Sequence, residues 1–547
     1  MLAAEPLRAI MQRARDAETP SLLRAVANVS GLALILVAVF AAYAHTLNDW
    51  FVSDDFWYLR ASQLADAGYF ANSFDFTTDG PLFQYAGRQL NPLELAYRPL
   101  YPIWFLFTYK LFGLNPWQYK LFALALHMFN TTLVWLVAKK LTGRVSVAAI
   151  AAFIFGIHPS YAAAVYWISS ISVQAMAFSL PGVLLFLHYL DGGPRRQLCY
   201  VASFACVIVA MLLHPESIGT FAVLVLAYLL WRVRTLNDLR APRLYLPVVP
   251  QIVLALVFLG LHQYIREHND YQQLAFKFGP HMVRNYLTYV AYAGNPFDPT
   301  GGTAHWREAL PIVGVGLAGL YLLFSTSLNY RSRLLVLAWF ALALVPLTTF
   351  TLGIHDETRK LYFPGPAFAL IIAMSAVSGW DWLSPRLRPF SLQALDVRYV
   401  PVAGVVLLVA VALPLRTWQI TDQTHMAEAT LTHVDSQAYK GMIDQVRQTY
   451  PALPEGARLD LTGVPWPLQL LGVLDSRTVA AIQVYYGETE VIAVSNPWEL
   501  PPPNSLGRFH VGFTCPPVCG PPVPTWLRNA VWQAQHPGQP LPPELEP

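Results

Sequence analysis

Charged residues are scarce in this chain of 547 amino acids: they make up 13% of it, whereas hydrophobic residues make up 55%. A soluble globular protein of this size does not need so much apolar sequence, so that class is excluded. The net charge of +3 comes from basic residues in short loops between apolar runs, and it gives no indication of nucleic-acid binding. The composition is that of a polytopic helical membrane protein.

The N-terminal segment lacks a recognisable cleavage site. Residues 1–26 carry Arg8, Arg13, Arg15 and Arg24 ahead of the first apolar run, as a signal peptide would. No small-residue cleavage motif follows, however, and the run is long. We therefore expect a cytoplasmic N-terminus at 1–26 and an uncleaved first transmembrane helix.

Runs of roughly 18–22 apolar residues predict about eleven transmembrane helices. They lie near 27–47, 117–138, 145–157, 173–190, 198–213, 216–231, 244–264, 309–326, 333–350, 361–378 and 399–417. The fold class expected for 27–417 is an all-α multi-pass bundle. The broken apolar segments 98–114 and 159–172 are predicted to be interfacial or half-embedded, and either is an alternative twelfth span.

Lysine and arginine predict the orientation of the bundle, because they concentrate in cytoplasmic loops. In the eleven-helix arrangement they cluster in alternate loops, which are marked by Lys139, Lys140 and Arg144; Arg195 and Arg196; Arg232, Arg234, Arg240 and Arg243; Arg331 and Arg333; Arg386, Arg388 and Arg398. The opposite side receives the first external loop 48–116, a further loop 265–308 and the tail 418–547. A multi-pass protein of a bacterial inner membrane, with its site facing the periplasm, is therefore expected.

The external segments have features of their own. Leu59–Phe70 and Tyr271–Tyr292 are predicted to be amphipathic helices, the first on the surface. The tail 418–547 is predicted to be a small α/β extracytoplasmic domain, with strand-like runs at Ala457–Leu461 and Val479–Tyr485 and a proline-rich end from Pro501. It has no 34-residue helical repeat. Cys515 and Cys519 are too few for a structural zinc site, and a disulfide between them is predicted if the tail faces an oxidising compartment.

Two adjacent acids, Asp54 and Asp55, follow the first span among Trp50, Trp57 and Tyr58. A carboxylate pair so near hydrocarbon is costly and tends to mark function. The alternative is a solvated acid pair beside an ordinary interfacial aromatic belt.

Further ionisable residues are predicted on the same side of the membrane: Arg98, His158, Glu216, His355, Asp356, Glu357, Arg359 and Lys360. Each has a structural alternative, since His158 can cap a helix, Glu216 can complement a helix N-terminus, Arg98 can snorkel and the turn from His355 can pair its own charges. Their convergence beside an apolar bundle suits a lipid-linked anionic substrate, whose phosphate needs cations at headgroup depth.

Several motifs resemble those of one enzyme class. Asn48–Arg60 is similar to the first external loop of the GT-C glycosyltransferases, which use polyprenyl-phosphate-linked sugars. Further segments resemble, in order, the tetratricopeptide-containing O-mannosyltransferases and their bacterial relatives: Tyr97–Leu100, Gly113–Pro116, His127–Asn130, His158–Pro159, Ala164–Ser169 and Glu357–Pro364. The chain departs from that group in lacking the tail repeats and in placing Lys360 between Arg359 and the following aromatic residue.

The resemblance implies an inverting, mannosyltransferase-like hexosyltransferase. It would move a sugar from a polyprenyl phosphate to an acceptor hydroxyl of a protein or glycan outside the cytoplasm. Either Asp54 or Asp55 is placed to act as general base; we favour Asp54, with Asp55 orienting it or binding a divalent metal such as Mg²⁺ or Mn²⁺. Arg98, Arg359 and Lys360 are predicted to bind the donor phosphate, and His158, Glu216, His355 and Glu357 to bind substrate. The alternatives are a transporter or flippase of lipid-linked glycans and a non-catalytic scaffold of the same fold.

Overall fold

The computed structural model of the protein describes most of the bundle and parts of the tail. The described residues are 29–75, 97–267, 277–295, 305–349, 358–384, 391–392, 395–396, 411–412, 414–417, 433–453, 458–462, 476–486, 492–494 and 508–512. His355, Glu357, Cys515, Cys519 and most of the predicted span 399–417 lie outside them. The disulfide therefore stays a prediction.

The described bundle is helical throughout, and its helices alternate with short turns. The helices are α1 (Val29–Asn48, ending in 3-10 form), α2 (Asp55–Gln63), α3 (Tyr69–Ser73), α4 (Leu100–Phe112), α5 (Pro116–Thr142), α6 (Val145–Ile157), α7 (Ala162–Tyr166), α8 (Ser172–Asp191), α9 (Arg196–Leu213), α10 (Gly219–Arg232), α11 (Val249–Glu267), α12 (His281–Gly294), α13 (His305–Phe324), α14 (Tyr330–Thr348) and α15 (Gly365–Leu383). Short 3-10 turns lie at Pro159–Tyr161, Ile168–Ser170, Pro215–Ile218, Leu236–Arg240, Pro242–Leu244 and Thr358–Tyr362.

Every predicted run from 27–47 to 361–378 contains a helix, which confirms the all-α polytopic class. Within the described residues, seven helices have the length and hydropathy to cross a membrane. An eighth span results if α6 and Pro159–Tyr166, which meet at a bend of 52°, are counted together. The chain is a multi-pass membrane protein, and the total of eleven spans stays a prediction.

Local sequence explains where α5 begins and ends. Pro116 stands in its first turn, where its missing N–H costs nothing. Gly143 follows its last residue with φ of 70°, a left-handed conformation that glycine adopts without strain. Small residues also let helices approach closely: a Cβ on Gly182 of α8 would lie 2.6 Å from Val207 of α9.

The basic ends of the helices meet at one end of the bundle. Lys140 forms an ion pair with Asp191, and Arg144 pairs with Asp381. The Ser332 hydroxyl donates to the carbonyl of Leu141 over 2.6 Å. The ends of α5, α8 and α15 and the beginning of α14 therefore lie together, as the alternation of basic loops requires.

Two external segments differ from prediction. The surface helix expected at Leu59–Phe70 begins instead at Asp55 and ends at Gln63, and its residues 55–62 are all buried. It packs between the bundle and the tail, and contact on both sides explains why it is not an amphipathic surface helix. The segment 159–172, expected to be interfacial or half-embedded, is packed among other residues with only Ala163 less than fully buried, and its depth in the membrane stays a prediction. Of the predicted helix Tyr271–Tyr292, the structure describes α12 at His281–Gly294.

The described residues of the tail form two helices and a small sheet. The helices are α16 (His433–Thr449) and α17 (Ser476–Tyr486), and the strands are β3 (Arg458–Thr462), β4 (Ile492–Val494) and β5 (Arg508–Gly512), which pair in parallel in the order β4-β3-β5. A separate hairpin joins β1 (Ser391–Leu392) to β2 (Leu395–Asp396). The strand predicted at Val479–Tyr485 is wrong: this run is α17, whose Ala480, Ala481, Ile482 and Val484 are buried.

The tail packs on α2 through aromatic contacts and one hydrogen bond. Trp50 stacks on Tyr485 of α17 with ring centroids 5.1 Å apart, and Phe56 contacts Tyr439 of α16 at 5.0 Å. The Gln63 side chain donates to the carbonyl of Val484 over 2.8 Å. The tail thus touches the helix that begins with the acid pair.

Candidate active site

Asp55 is a buried carboxylate that ties the first external loop to the bundle. Its Oδ1 accepts hydrogen bonds from the Ser169 amide at 2.9 Å and the Ser169 hydroxyl at 2.6 Å. Its Oδ2 accepts from the Val52 amide at 3.0 Å. The side chain has 0% exposure, so its oxygens face the protein and not solvent.

Burial and these donors act on the Asp55 pKa in opposite directions. Burial raises the pKa to about 6, while the nearby Lys120 ammonium and the donors from Ser169 and Val52 lower it. Lys120 itself is 2% exposed and donates to the carbonyl of Tyr166 over 2.7 Å. At neutral pH Asp55 is therefore mostly ionised, and its carboxylate oxygens accept the hydrogen bonds from Ser169 and Val52.

Asp54 is half-buried. Ser53 before it has φ of 52°, an uncommon left-handed conformation for a serine, and its hydroxyl donates to Asp54 over 3.2 Å. Asp54 interacts electrostatically with Arg98 and Tyr101. Adjacent side chains at the start of a helix diverge. Here Asp55 is hydrogen-bonded to Ser169 and Val52, whereas Asp54 interacts with Arg98 and Tyr101.

Arg98 lies beside Asp54 on an aromatic ring. Its guanidinium carbon is 4.7 Å from the ring centroid of Tyr101, a cation–π contact. Its Nε is buried and has no hydrogen-bond partner among the described residues. Glu216 is a further electrostatic neighbour. The site therefore contains a buried donor available to an acceptor oxygen.

Glu216 forms an ion pair with His214 in the turn between α9 and α10. Burial alone would raise the pKa of Glu216, but His214 and Lys360 together hold it well below its ordinary range. Glu216 thus interacts electrostatically both with Arg98 and with Lys360 of the turn Thr358–Tyr362. Lys360 is 8% exposed.

Arg359 precedes Lys360 and covers Trp167. Its guanidinium carbon is 4.0 Å from the ring centroid, and the buried Trp167 Nε1 has no hydrogen-bond partner among the described residues. The segment Ala164–Ser169 thus has three roles. The Tyr166 carbonyl accepts from Lys120, the Trp167 ring lies under Arg359, and the Ser169 amide and hydroxyl donate to Asp55.

His158 is engaged inside the bundle. Its Nε2 lies 3.0 Å from the carbonyl of Ala293, and its Nδ1 accepts from the Ser160 amide at 3.3 Å. Both ring nitrogens are used, which favours the capping interpretation over substrate binding. Among predicted site residues, the structure therefore brings together Asp54, Arg98, Glu216 and Lys360. Arg359 and Asp55 both contact the segment Trp167–Ser169.

The use of a divalent metal stays a prediction. No group of three or more His, Cys, Asp or Glu side chains lies close enough to hold a metal ion within the part of the chain that the structure describes. Asp55, the residue predicted as a metal ligand, has both oxygens hydrogen-bonded and no exposed surface.

Sequence reasoning missed several neighbours of this cluster. His262 of α11 interacts electrostatically with Glu216 and Arg98, and its buried Nε2 has no hydrogen-bond partner among the described residues. Lys120 and Trp167 were also not singled out. A lysine just inside a span, as Lys120 is, was the one signal available.

This architecture, a polytopic helical bundle whose first external loop folds back over the spans, is the GT-C fold of membrane glycosyltransferases. Among solved structures, the Archaeoglobus fulgidus oligosaccharyltransferase tethered with an acceptor peptide matches with a TM-score of 0.50 at 12% identity, over 86% of this chain and 64% of that one. ArnT from Cupriavidus metallidurans bound to undecaprenyl phosphate gives 0.46 at 14% identity, over 86% of each chain. No family model matches, and no curated protein is significantly similar in sequence. At these identities the likeness shows the fold.

Proposed function

We propose that this chain is a polyprenyl-phosphate-dependent glycosyltransferase that moves a sugar to an acceptor hydroxyl on the extracytoplasmic side of a bacterial inner membrane. The observation that carries the proposal is the line of groups Asp54, Arg98, Glu216 and Lys360 at the end of the bundle opposite its basic loops. An acid beside several cations is what transfer from a sugar phosphate requires.

The residues divide the reaction between them. The oxygen of the acceptor hydroxyl attacks the anomeric carbon of the sugar, and Asp54 accepts the proton that this hydroxyl loses. The bond from that carbon to the phosphate oxygen breaks, and configuration inverts. Arg98, Arg359 and Lys360 stabilise the charge left on the lipid phosphate, and the apolar helices contact the lipid chain. Asp55 holds the start of α2 in place, and no step depends on a metal.

The acceptor is a protein or a glycan. The archaeal oligosaccharyltransferase of the same fold was solved with an acceptor peptide, and a peptide hydroxyl is the first acceptor to test. A flippase would instead carry polar residues along the membrane midplane, whereas the described site lies at one end of the bundle.

The test is transfer by purified protein from a panel of radiolabelled polyprenyl-phosphate sugars to peptide and glycan acceptors. We expect label to leave the lipid, and Asp54→Asn to stop its transfer. Asp381→Asn, an acid at the basic end, is the matched control and should remain active. If no donor is used while the protein moves lipid-linked glycan across vesicles, the transporter alternative replaces this proposal.

The sidedness is tested separately. A phosphatase that is active only outside the cytoplasm, fused after Val434, should be active because the tail and the acid pair share one side of the membrane. Activity of a cytoplasm-only reporter at the same point would reverse the orientation.

A further inference from the structure

A buried chain of hydrogen bonds connects the middle of α5 to the turn Thr358–Tyr362. The Tyr362 hydroxyl lies 2.8 Å from His127 Nδ1 and 3.0 Å from Asn130 Nδ2. His127 Nε2 lies 2.8 Å from the carbonyl of Gly156, and Asn130 Nδ2 also donates to the carbonyl of Val173 over 2.9 Å. His127, Asn130 and Tyr362 each have 0% exposure.

The direction of every bond in this chain follows from chemistry. A carbonyl oxygen only accepts, so His127 Nε2 carries the hydrogen given to Gly156. In the neutral ring Nδ1 then accepts, and the Tyr362 hydroxyl donates to it. The amide of Asn130 donates to the Tyr362 oxygen. His127 and Tyr362 each donate once and accept once, whereas Asn130 donates twice, and its Oδ1 has no hydrogen-bond partner among the described residues.

Tyr362 ends the turn that carries two of the three cations proposed to bind the phosphate. The 3-10 turn Thr358–Tyr362 contains Arg359 and Lys360, and the Phe363 amide donates to the carbonyl of Lys360 over 3.2 Å. A 3-10 turn has few internal hydrogen bonds of its own. Its position over Trp167 and beside Glu216 therefore depends on where Tyr362 is held.

We propose that His127 and Asn130 are positioning residues, which hold the Tyr362 hydroxyl and thereby place Arg359 and Lys360 for the phosphate of the lipid donor. The part concerning phosphate rests on the proposed function. The anchoring of the turn does not, and it is tested by its own measurement.

The experiment compares Tyr362→Phe with Tyr161→Phe. The first removes the hydroxyl that links His127 to Asn130 and keeps the ring, which packs 5.1 Å from Phe155. The second removes an equally buried hydroxyl that has no hydrogen-bond partner among the described residues, on a ring 5.6 Å from Tyr362. Asn130→Leu is a second variant, which removes the whole amide group and with it the donors to Tyr362 and Val173, and thermal midpoints confirm that each protein is folded.

Two quantities are measured in one detergent: hydrogen exchange of the peptide that spans residues 358–363, and the Kd for undecaprenyl phosphate. We expect exchange to speed up and binding to weaken, each about tenfold, in Tyr362→Phe and Asn130→Leu, with neither changed in Tyr161→Phe. Combined with Lys360→Gln, Tyr362→Phe should weaken binding by less than the product of the single effects, because part of the effect of Tyr362→Phe acts through Lys360.

The outcomes separate the two claims. Unchanged exchange in Tyr362→Phe, or the same change in Tyr161→Phe, overturns the anchoring. Faster exchange with an unchanged Kd overturns the role in phosphate binding. Faster exchange in a protein whose wild type does not bind undecaprenyl phosphate rejects the proposed function while the anchoring of the turn stands.

Discussion

Replacing Ser169 by alanine should change the titration of Asp55 without touching the carboxyl itself. The Ser169 hydroxyl donates to Oδ1 over 2.6 Å, and its removal leaves only backbone donors, those of Ser169 and Val52. A hydrogen bond to a charged group contributes about 1.5–3 kcal/mol, and one to a neutral group about 0.5–1.5 kcal/mol. The charged form therefore loses about 1–1.5 kcal/mol more than the neutral form, which raises the pKa by about one unit.

The sign of the effect on stability follows from the direction of the shift. The pKa of Asp55 is about 6 in the folded protein and 3.8 in its ordinary state, so the folded protein binds the proton more tightly. Its contribution to the free energy of unfolding is full at pH values below the ordinary pKa and is lost as the pH rises through about 6. In Ser169→Ala this loss should continue to about pH 7.

The assay is thermal unfolding and transfer rate from pH 5 to 8, with Ser170→Ala as the control. Ser170 is as buried as Ser169, both at 4% exposure, but its hydroxyl contacts Ser172 at 3.1 Å and not Asp55. We expect Ser169→Ala to lose stability relative to wild type increasingly with pH, by about 1–1.5 kcal/mol over this range. A pH-independent difference, or an equal shift in Ser170→Ala, would refute the reasoning.

Three other predictions concern the acid pair's surroundings. Asp54→Asn should lower turnover about 100- to 10,000-fold with the donor Kd little altered, because it removes a general base; full activity measured for both Asp54→Asn and Asp55→Asn would leave the scaffold alternative ahead. Arg98→Ala should weaken donor binding and turnover together, since phosphate is present in ground and transition states, and Arg98→Lys should recover part of both; steady-state kinetics that show a change in turnover alone would argue against phosphate contact. Tyr485→Ala should increase hydrogen exchange in α2, because Tyr485 stacks on Trp50 in the segment that leads into this helix. Unchanged exchange in α2 would show that the tail does not hold this helix.

The helices of the described bundle could be predicted from sequence because they depend on composition over short distances. Apolar runs locate the helices, and alternate basic loops assign the two ends of the bundle. The helix α17 was mistaken for a strand because Val479–Tyr485 is a short apolar run, for which periodicity does not separate helix from strand. Its packing against α2, distant in sequence, decided the conformation.

The different environments of Asp54 and Asp55 could not be predicted, since they depend on long-range contacts. The sequence presents two equivalent acids, and Asp55 becomes the buried one because Ser169, 114 residues later, supplies its donors. The same limitation applies to Tyr362, whose partner His127 is 235 residues away. Motif order placed these segments on one side of the membrane, but only the fold shows which side chains meet.

The helix that begins with the acid pair is held from two directions, and this bears on how the site works. On the bundle side, Asp55 bonds to Ser169; on the tail side, Trp50 and Gln63 contact Tyr485 and Val484. A helix of nine residues is too short to be stable alone, so its position depends on contacts of this kind, which also include Tyr58 against Tyr101 with ring centroids 4.1 Å apart. The tail is thus part of the structure that orients the candidate base, even though it contributes none of the charged groups assigned to the site.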